Sequence, residues 1–166
     1  MVLALIGALL LLPVTGATRG THPATPPPPA YRLVVPGLTR EVPAHLTLAA
    51  VGDVMLARTV GDRIVAEGPG VAFAGVASAL ATADLVSANL ECTLSDTGTP
   101  AAKGFTFRAP PAAVEALVAG GVSIVSLANN HTLDYGPDAL ANTEGYLDLH
   151  HIAHPGAGAN LASARS

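Results

Sequence analysis

Three short apolar runs punctuate the second two-thirds of the chain, and each ends in polar side chains. Leu46 to Val51 runs into Gly52-Asp53, Leu85 to Leu90 carries Asn89 and leads into Glu91, and Val122 to Leu127 leads into Asn129-Asn130-His131. Runs of this length bounded by turn residues predict buried strands. Between them the pattern changes to helical spacing. Leu56 to Ala66 predicts a helix stopped by Gly68-Pro69-Gly70, and Phe73, Val76, Ala77 and Leu80 fall at i, i+3, i+4, i+7. Pro111 suits the first turn of a helix whose buried stripe is Val114, Leu117 and Val118, ended by Gly120-Gly121. Pro137 opens a further helix towards Leu149, after which Ile152 to Pro155 starts a fourth strand. Ser95 to Gly104 reads as a polar loop and Phe105 to Phe107 as a short extended piece. Strands alternating with helices predict βαβ units and a parallel sheet, covered on both faces because its strands are apolar throughout.

The beginning of the chain follows other rules. Val2 to Leu12 is apolar and is followed by the small residues of Pro13-Val14-Thr15-Gly16-Ala17. This is the layout of a secretory signal, although no Lys or Arg precedes the run. It falls short of the roughly 20 residues that span a bilayer. Residues 1–17 are therefore expected to be a signal peptide or membrane anchor, and 18–45, with Pro26 to Pro29, an extended proline-rich linker. A folded domain is expected over 46–166. The expected location is extracytoplasmic, secreted or anchored to the cell membrane by the N-terminal segment.

Composition narrows the classes of function. Only 12% of residues are charged, against about 25% in an average soluble domain. The net charge is −4 with no basic run, so nucleic acid is not an expected partner. Cys92 is the single cysteine, which excludes an intrachain disulfide and a cysteine-rich metal site. It reads as a small buried apolar residue.

The chemistry collects at the strand ends. Parallel sheets bind ligands beyond the carboxyl ends of their strands, where Asp53, Asn89, Glu91, Asn129, Asn130 and His131 all stand. Oxygen and imidazole donors suit Mn, Fe, Zn or Mg, as one ion or two, and two ions can activate water for phosphoryl displacement. A plainer alternative makes them caps and turn anchors, with Asp53 serving the helix near Leu56 and Asn129 or Asn130 tying down the turn. Arg58, Lys103 and Arg108 are candidates for holding an anionic substrate, the alternative for each being a solvated surface charge, and Asn129 and Asp134 are further substrate candidates. His150, His151 and His154 read as exposed histidines at a helix exit. No Gly-x-Ser-x-Gly, Gly-x-Gly-x-x-Gly or P-loop pattern is present, so neither a serine nucleophile nor a nucleotide site has a motif behind it.

Taken in order, Ala50-Val51-Gly52-Asp53-Val54-Met55-Leu56, Ala88-Asn89-Leu90-Glu91, Phe105-Thr106-Phe107-Arg108-Ala109-Pro110, Leu127 to Gly136 and Gly156-Ala157-Gly158 resemble the capsule synthesis protein CapA family. That family is associated with poly-γ-glutamate. The resemblance implies an α/β fold like the calcineurin-type metallophosphoesterases, a layered sandwich represented here by its N-terminal half with mainly parallel βαβ units. It implies metal ligation by Asp53, Asn89, Glu91, Asn130 and His131, with His131 catalytic. Met55 stands where that phosphoesterase pattern usually has a histidine, and Asn89-Leu90-Glu91 replaces its Gly-Asp block. The implied role is synthesis, anchoring or export of poly-γ-glutamate or a similar anionic polymer, in a membrane capsule-synthesis complex. The intact protein would be a metal-dependent hydrolase. The alternatives are a non-catalytic polymer-binding or export subunit and an inactive gene fragment. The family domain is nearer twice as long, so an open sheet edge, an exposed apolar face and poor solubility are expected.

Overall fold

A computed structural model describes residues 45–165; the expected leader and nearly all of the expected linker lie outside the described residues. The strands β1 (Leu48–Val54), β2 (Leu85–Leu90) and β5 (Ile124–Ser126) form one sheet in the order β1-β2-β5, all parallel. The fold is α/β, as the alternating pattern predicts. Between β2 and β5 lie β3 (Thr93–Leu94) and β4 (Arg108–Ala109), a second, two-stranded parallel pair. The helices are α1 (Arg58–Glu67), the short α2 (Ala77–Leu80), α3 (Ala113–Ala119) and α4 (Gly136–Leu149). The expected fourth strand is rudimentary. Ala153 bridges Ile124 in parallel, and Val125 N and Leu127 N donate to the carbonyls of Ala153 and Pro155 at 2.7 and 2.9 Å.

Alternation along the strands separates the two faces of the sheet. Val86, Ala88, Leu90 and Val125 point into a core shared with Ile64, Leu94, Val114, Leu117 and Leu147. Each Val, Ile or Leu among these contributes about 1.5–3 kcal/mol of burial. α3 supplies Ala113, Val114, Ala116 and Leu117 to this core. Val118, expected in its stripe, is 46% exposed, because the buried arc rotates towards the small Ala113 and Ala116. α1 lies against Pro110 at Gly61, where a Cβ would sit 2.9 Å from both the Pro110 ring and the Leu56 carbonyl. The helix expected from Phe73 is helical only over Ala77–Leu80. Phe73 and Leu80 are buried but Val76 is exposed, since Gly75 disfavours the first turn.

The opposite face corrects the expectation of a sheet covered on both sides. Leu46 and Leu48 are 62% and 59% exposed, and Leu85 joins them. Among the described residues β1 is an edge strand. Among the described residues, Leu46, Leu48 and Leu85 form an exposed apolar strip beside that edge.

One irregularity in β1 matters for the site. Leu48, Ala49 and Ala50 pair with Leu85, Val86 and Ser87, but the register then jumps so that Asp53 faces Asn89 and Val54 faces Leu90. Two residues, Val51 and Gly52, oppose the single residue Ala88. Without this bulge Asp53 would stand beside Leu90 and point into the core. With it, Asp53 shares a face with Asn89. Re-aiming one side chain in this way is what β-bulges do next to binding sites.

Candidate functional site

Six of the residues singled out in the sequence form one hydrogen-bonded network at the carboxyl rim of the sheet. Asn89 Nδ2 donates to Asp53 Oδ1 at 2.8 Å and to Glu91 Oε1 at 2.9 Å. Its Oδ1 accepts from Asn129 Nδ2 at 2.9 Å, so its amide is satisfied at both ends. Asn129 also donates to the Leu90 carbonyl, and its Oδ1 accepts the His131 backbone N–H at 2.9 Å. Asn129 thus ties the turn after β5 to the end of β2, as the turn-anchor alternative proposed. Asp53 does not cap a helix. Ala57, before α1, has no side-chain cap, and Leu56 N and Ala57 N instead meet Cys92 Sγ and Met55 Sδ.

His131 is buried at the centre of this rim. Its Nδ1 lies 2.8 Å from Asp134 Oδ2 and its Nε2 lies 3.6 Å from Glu91 Oε2. Asp134 is fully buried. Burial pushes its pKa up, but the Lys103 ammonium, His131 and the Phe107 N–H, 2.6 Å from Oδ2, outweigh this and hold it below the usual carboxylate range. An ionised Asp134 only accepts, so His131 Nδ1 carries the proton and Nε2 is presented to Glu91. The Phe107 ring stacks on the imidazole, with centroids 4.4 Å apart and planes tilted by 35°.

Lys103 is drawn into the same cluster. Its ammonium contacts Asp134 Oδ1 and donates to the Asn130 carbonyl at 2.6 Å. Asn130 enters the network through that backbone carbonyl and is exposed. Arg108 lies over the Tyr135 ring at 4.4 Å and donates to the Thr97 carbonyl at 3.1 Å. Arg58 stands one aromatic ring away from His131, its guanidinium carbon 4.6 Å from the Phe107 centroid. Its backbone is left-handed, at φ 55°, a conformation that costs a non-glycine residue roughly 1–3 kcal/mol.

The donor set of Asp53, Glu91 and His131 fits a hard or borderline divalent ion in its chemistry. The carboxylate behind His131 is the usual outer partner of a metal-bound imidazole. The two acidic groups are joined in this structure by the Asn89 amide. Among the described residues no three His, Cys, Asp or Glu side chains converge on one point.

The remaining candidates lie elsewhere. His150 Nε2 is 3.5 Å from Glu115 Oε1 and His154 Nε2 is 3.0 Å from Asp148 Oδ1, both at the exit of α4. Cys92 is buried and its thiol is pushed up to about 12, first by burial and further by the charges of Asp134 and Glu91, against the Leu56 N–H. A thiol so protonated is no nucleophile. An open cleft of about 860 Å³ adjoins Asn129 and Asn130, walled by Leu133, Leu140 and the Gly156–Gly158 turn. Gly156, at φ 115°, passes so close that a Cβ would lie 2.5 Å from Ala128 N. Sequence reasoning missed two parts of the rim: Lys103 as the partner of Asp134, and Phe107 as the plate under His131. An aromatic at every second position before Arg108 was the only signal for the latter.

The parallel sheet makes this chain an α/β domain, and its acidic–imidazole rim lies beyond the carboxyl ends of the strands. The family model for the bacterial capsule synthesis protein PGA_cap matches residues 47–166, and the chain belongs to that family. Capsule synthesis is a cell-envelope process. Two uncharacterized proteins of Sinorhizobium fredii, y4sH and y4uA, are 35% and 34% identical over 124 residues, which is 71% of this chain and 26% of each relative. The capsule biosynthesis protein CapA of Bacillus anthracis is 30% identical over 125 residues, 73% of this chain and 30% of CapA. The chain thus spans between about a quarter and a third of the length of these relatives. Among the described residues no helix is long and apolar enough to cross a membrane.

Proposed function

We propose that this chain carries the working rim of an extracytoplasmic capsule-synthesis protein, acting by metal-dependent hydrolysis on poly-γ-glutamate assembly, anchoring or export. Membership of the capsule synthesis family and the kinship to the capsule biosynthesis protein CapA of Bacillus anthracis support the capsule role. The observation that carries the catalytic part is His131 held between two carboxylates, with Nδ1 on Asp134 and Nε2 turned to Glu91. Asp53 and Glu91, with Asn89 and Asn130 beside them, would hold the divalent metal, one ion or two, and leave His131 Nε2 free. When bound, it would lower the pKa of a water and offset negative charge on a phosphoester. The chain's own residues do the rest. Asp134 fixes the imidazole tautomer, Phe107 and the rim wall keep His131 from bulk water, and His131 Nε2 is placed to accept or return a proton.

The test is hydrolysis of bis(p-nitrophenyl) phosphate by the complete protein with and without Mn. The expected outcome is metal-dependent turnover that falls by about 100-fold or more in Asp53→Ala and His131→Ala. A folded protein whose rate is the same with and without metal sinks the catalytic reading.

A second reading has its own observation. Asn89 already donates to one oxygen of both Asp53 and Glu91, which is how a rim without catalytic duty would tie its acidic groups together. In that case the domain is a polymer-binding or export subunit within a membrane capsule-synthesis complex.

A further inference from the structure

Of the three cations that an anionic substrate could meet, two are already spent. Lys103 is held by Asp134 and the Asn130 carbonyl, and Arg108 by Tyr135 and the Thr97 carbonyl. Arg58 differs. Its guanidinium lies over Phe107 at 4.6 Å and Phe105 at 5.6 Å. Among the described residues no carboxylate pairs with it and its side chain donates no hydrogen bond to a protein acceptor, while stacking leaves the in-plane N–H donors of a guanidinium available. Phe105 is 67% exposed, an apolar cost that a purely solvated arginine would not require. The side chain leaves a left-handed backbone and lies over these rings. Phe107 in turn stacks on His131, so the guanidinium is one ring thickness from the proposed reacting imidazole.

We infer that Arg58 is the substrate-binding arginine of this rim: it receives an oxyanion, carboxylate or phosphate, of the anionic polymer beside His131. This rests on reading the His131 rim as the working site. Acidic Asp53, Glu91 and Asp134 would repel such a substrate, and Arg58 supplies positive charge already oriented for a bidentate contact. The exposed Arg63, paired with Glu67 along α1, has no such placement and serves as a control.

The experiment is fluorescence anisotropy of labelled γ-linked decaglutamate with the complete protein, with inorganic phosphate as a competitor. Arg58→Ala is expected to weaken binding about tenfold or more. Arg58→Lys, which keeps the charge but loses the planar fork, should fall between, and Arg63→Ala should bind as the unmodified protein does. Arg58→Gly separates positioning from folding: relief of the left-handed strain should hold or raise the melting temperature while binding is still lost. Competition by phosphate at Arg58 identifies the phosphate arm, and its absence the carboxylate arm. Decaglutamate and phosphate both failing to bind the unmodified protein overturns the inference, as does equal weakening by Arg58→Ala and Arg63→Ala. If phosphodiester hydrolysis is absent but Arg58-dependent binding persists, the catalytic reading falls while the assignment of Arg58 stands.

Discussion

The chain carries two sets of histidine–carboxylate pairs, and they differ in everything but composition. At the rim, His131 lies between Asp134 and Glu91, with Asp134 wholly buried and Glu91 largely so. At the exit of α4, His150 and His154 pair with Glu115 and Asp148, whose side chains are 52% and 75% exposed. The second set is the denser one in sequence, with three histidines in five positions. Yet water competes for the carboxylates of its pairs, although the His150 and His154 rings, expected to be exposed, are only 22% and 16% so because the end of α4 packs beside them. The rim pairs are cross-linked through Asn89, Asn129, Lys103 and the backbone of Phe107. Convergence of strand ends, rather than local density of histidine, is what builds the cross-linked rim.

That contrast breaks most directly at Asp134. Asp134→Ala removes the partner of Lys103, His131 and the Phe107 N–H at once, and should cost about 3 kcal/mol or more in urea unfolding, because a buried network is left with unmatched donors. A loss below about 0.5 kcal/mol would show that the rim is no better ordered than the α4 exit.

Acid titration sharpens the comparison with a smaller effect. The folded pKa of Asp134 is depressed, so its contribution is present above the unfolded value of about 3.9 and is lost as pH falls through the folded value. The melting temperature should therefore drop more steeply with acid below about pH 4 in the unmodified protein than in Asp134→Asn. Parallel curves would refute the buried ionised carboxylate.

At the other end of the scale, Glu115→Gln and Asp148→Asn, which remove the exposed partners of His150 and His154, should each change stability by about 0.5 kcal/mol or less. They should leave binding of decaglutamate unchanged. A large effect from either would make the α4 exit a second functional region.

Much of this was legible in the residues. The apolar runs and their polar ends placed β1, β2 and β5, and the same ends named Asp53, Asn89, Glu91, Asn129 and His131. Val118 and Val76 were misplaced because a stripe of three or four apolar positions does not say which edge of it the neighbours reach. The covered second face of the sheet was wrong for a related reason. Apolar strand residues such as Leu48 and Leu85 are compatible with burial, but burial requires something to pack against them.

The sequence alone determined the parallel α/β order, the polar strand ends and the family, because each follows from local apolar length, breakers and short motifs. Only the tertiary structure decided which side chains share the rim. The bulge at Val51–Gly52 turns Asp53 from the core towards Asn89, and the pairing of β1 with β2 sets that register. Lys103 and Phe107 reach Asp134 and His131 across a loop whose course no nearby residue dictates. Local pattern fixes which face a residue prefers; cross-strand pairing and close packing fix what it meets there.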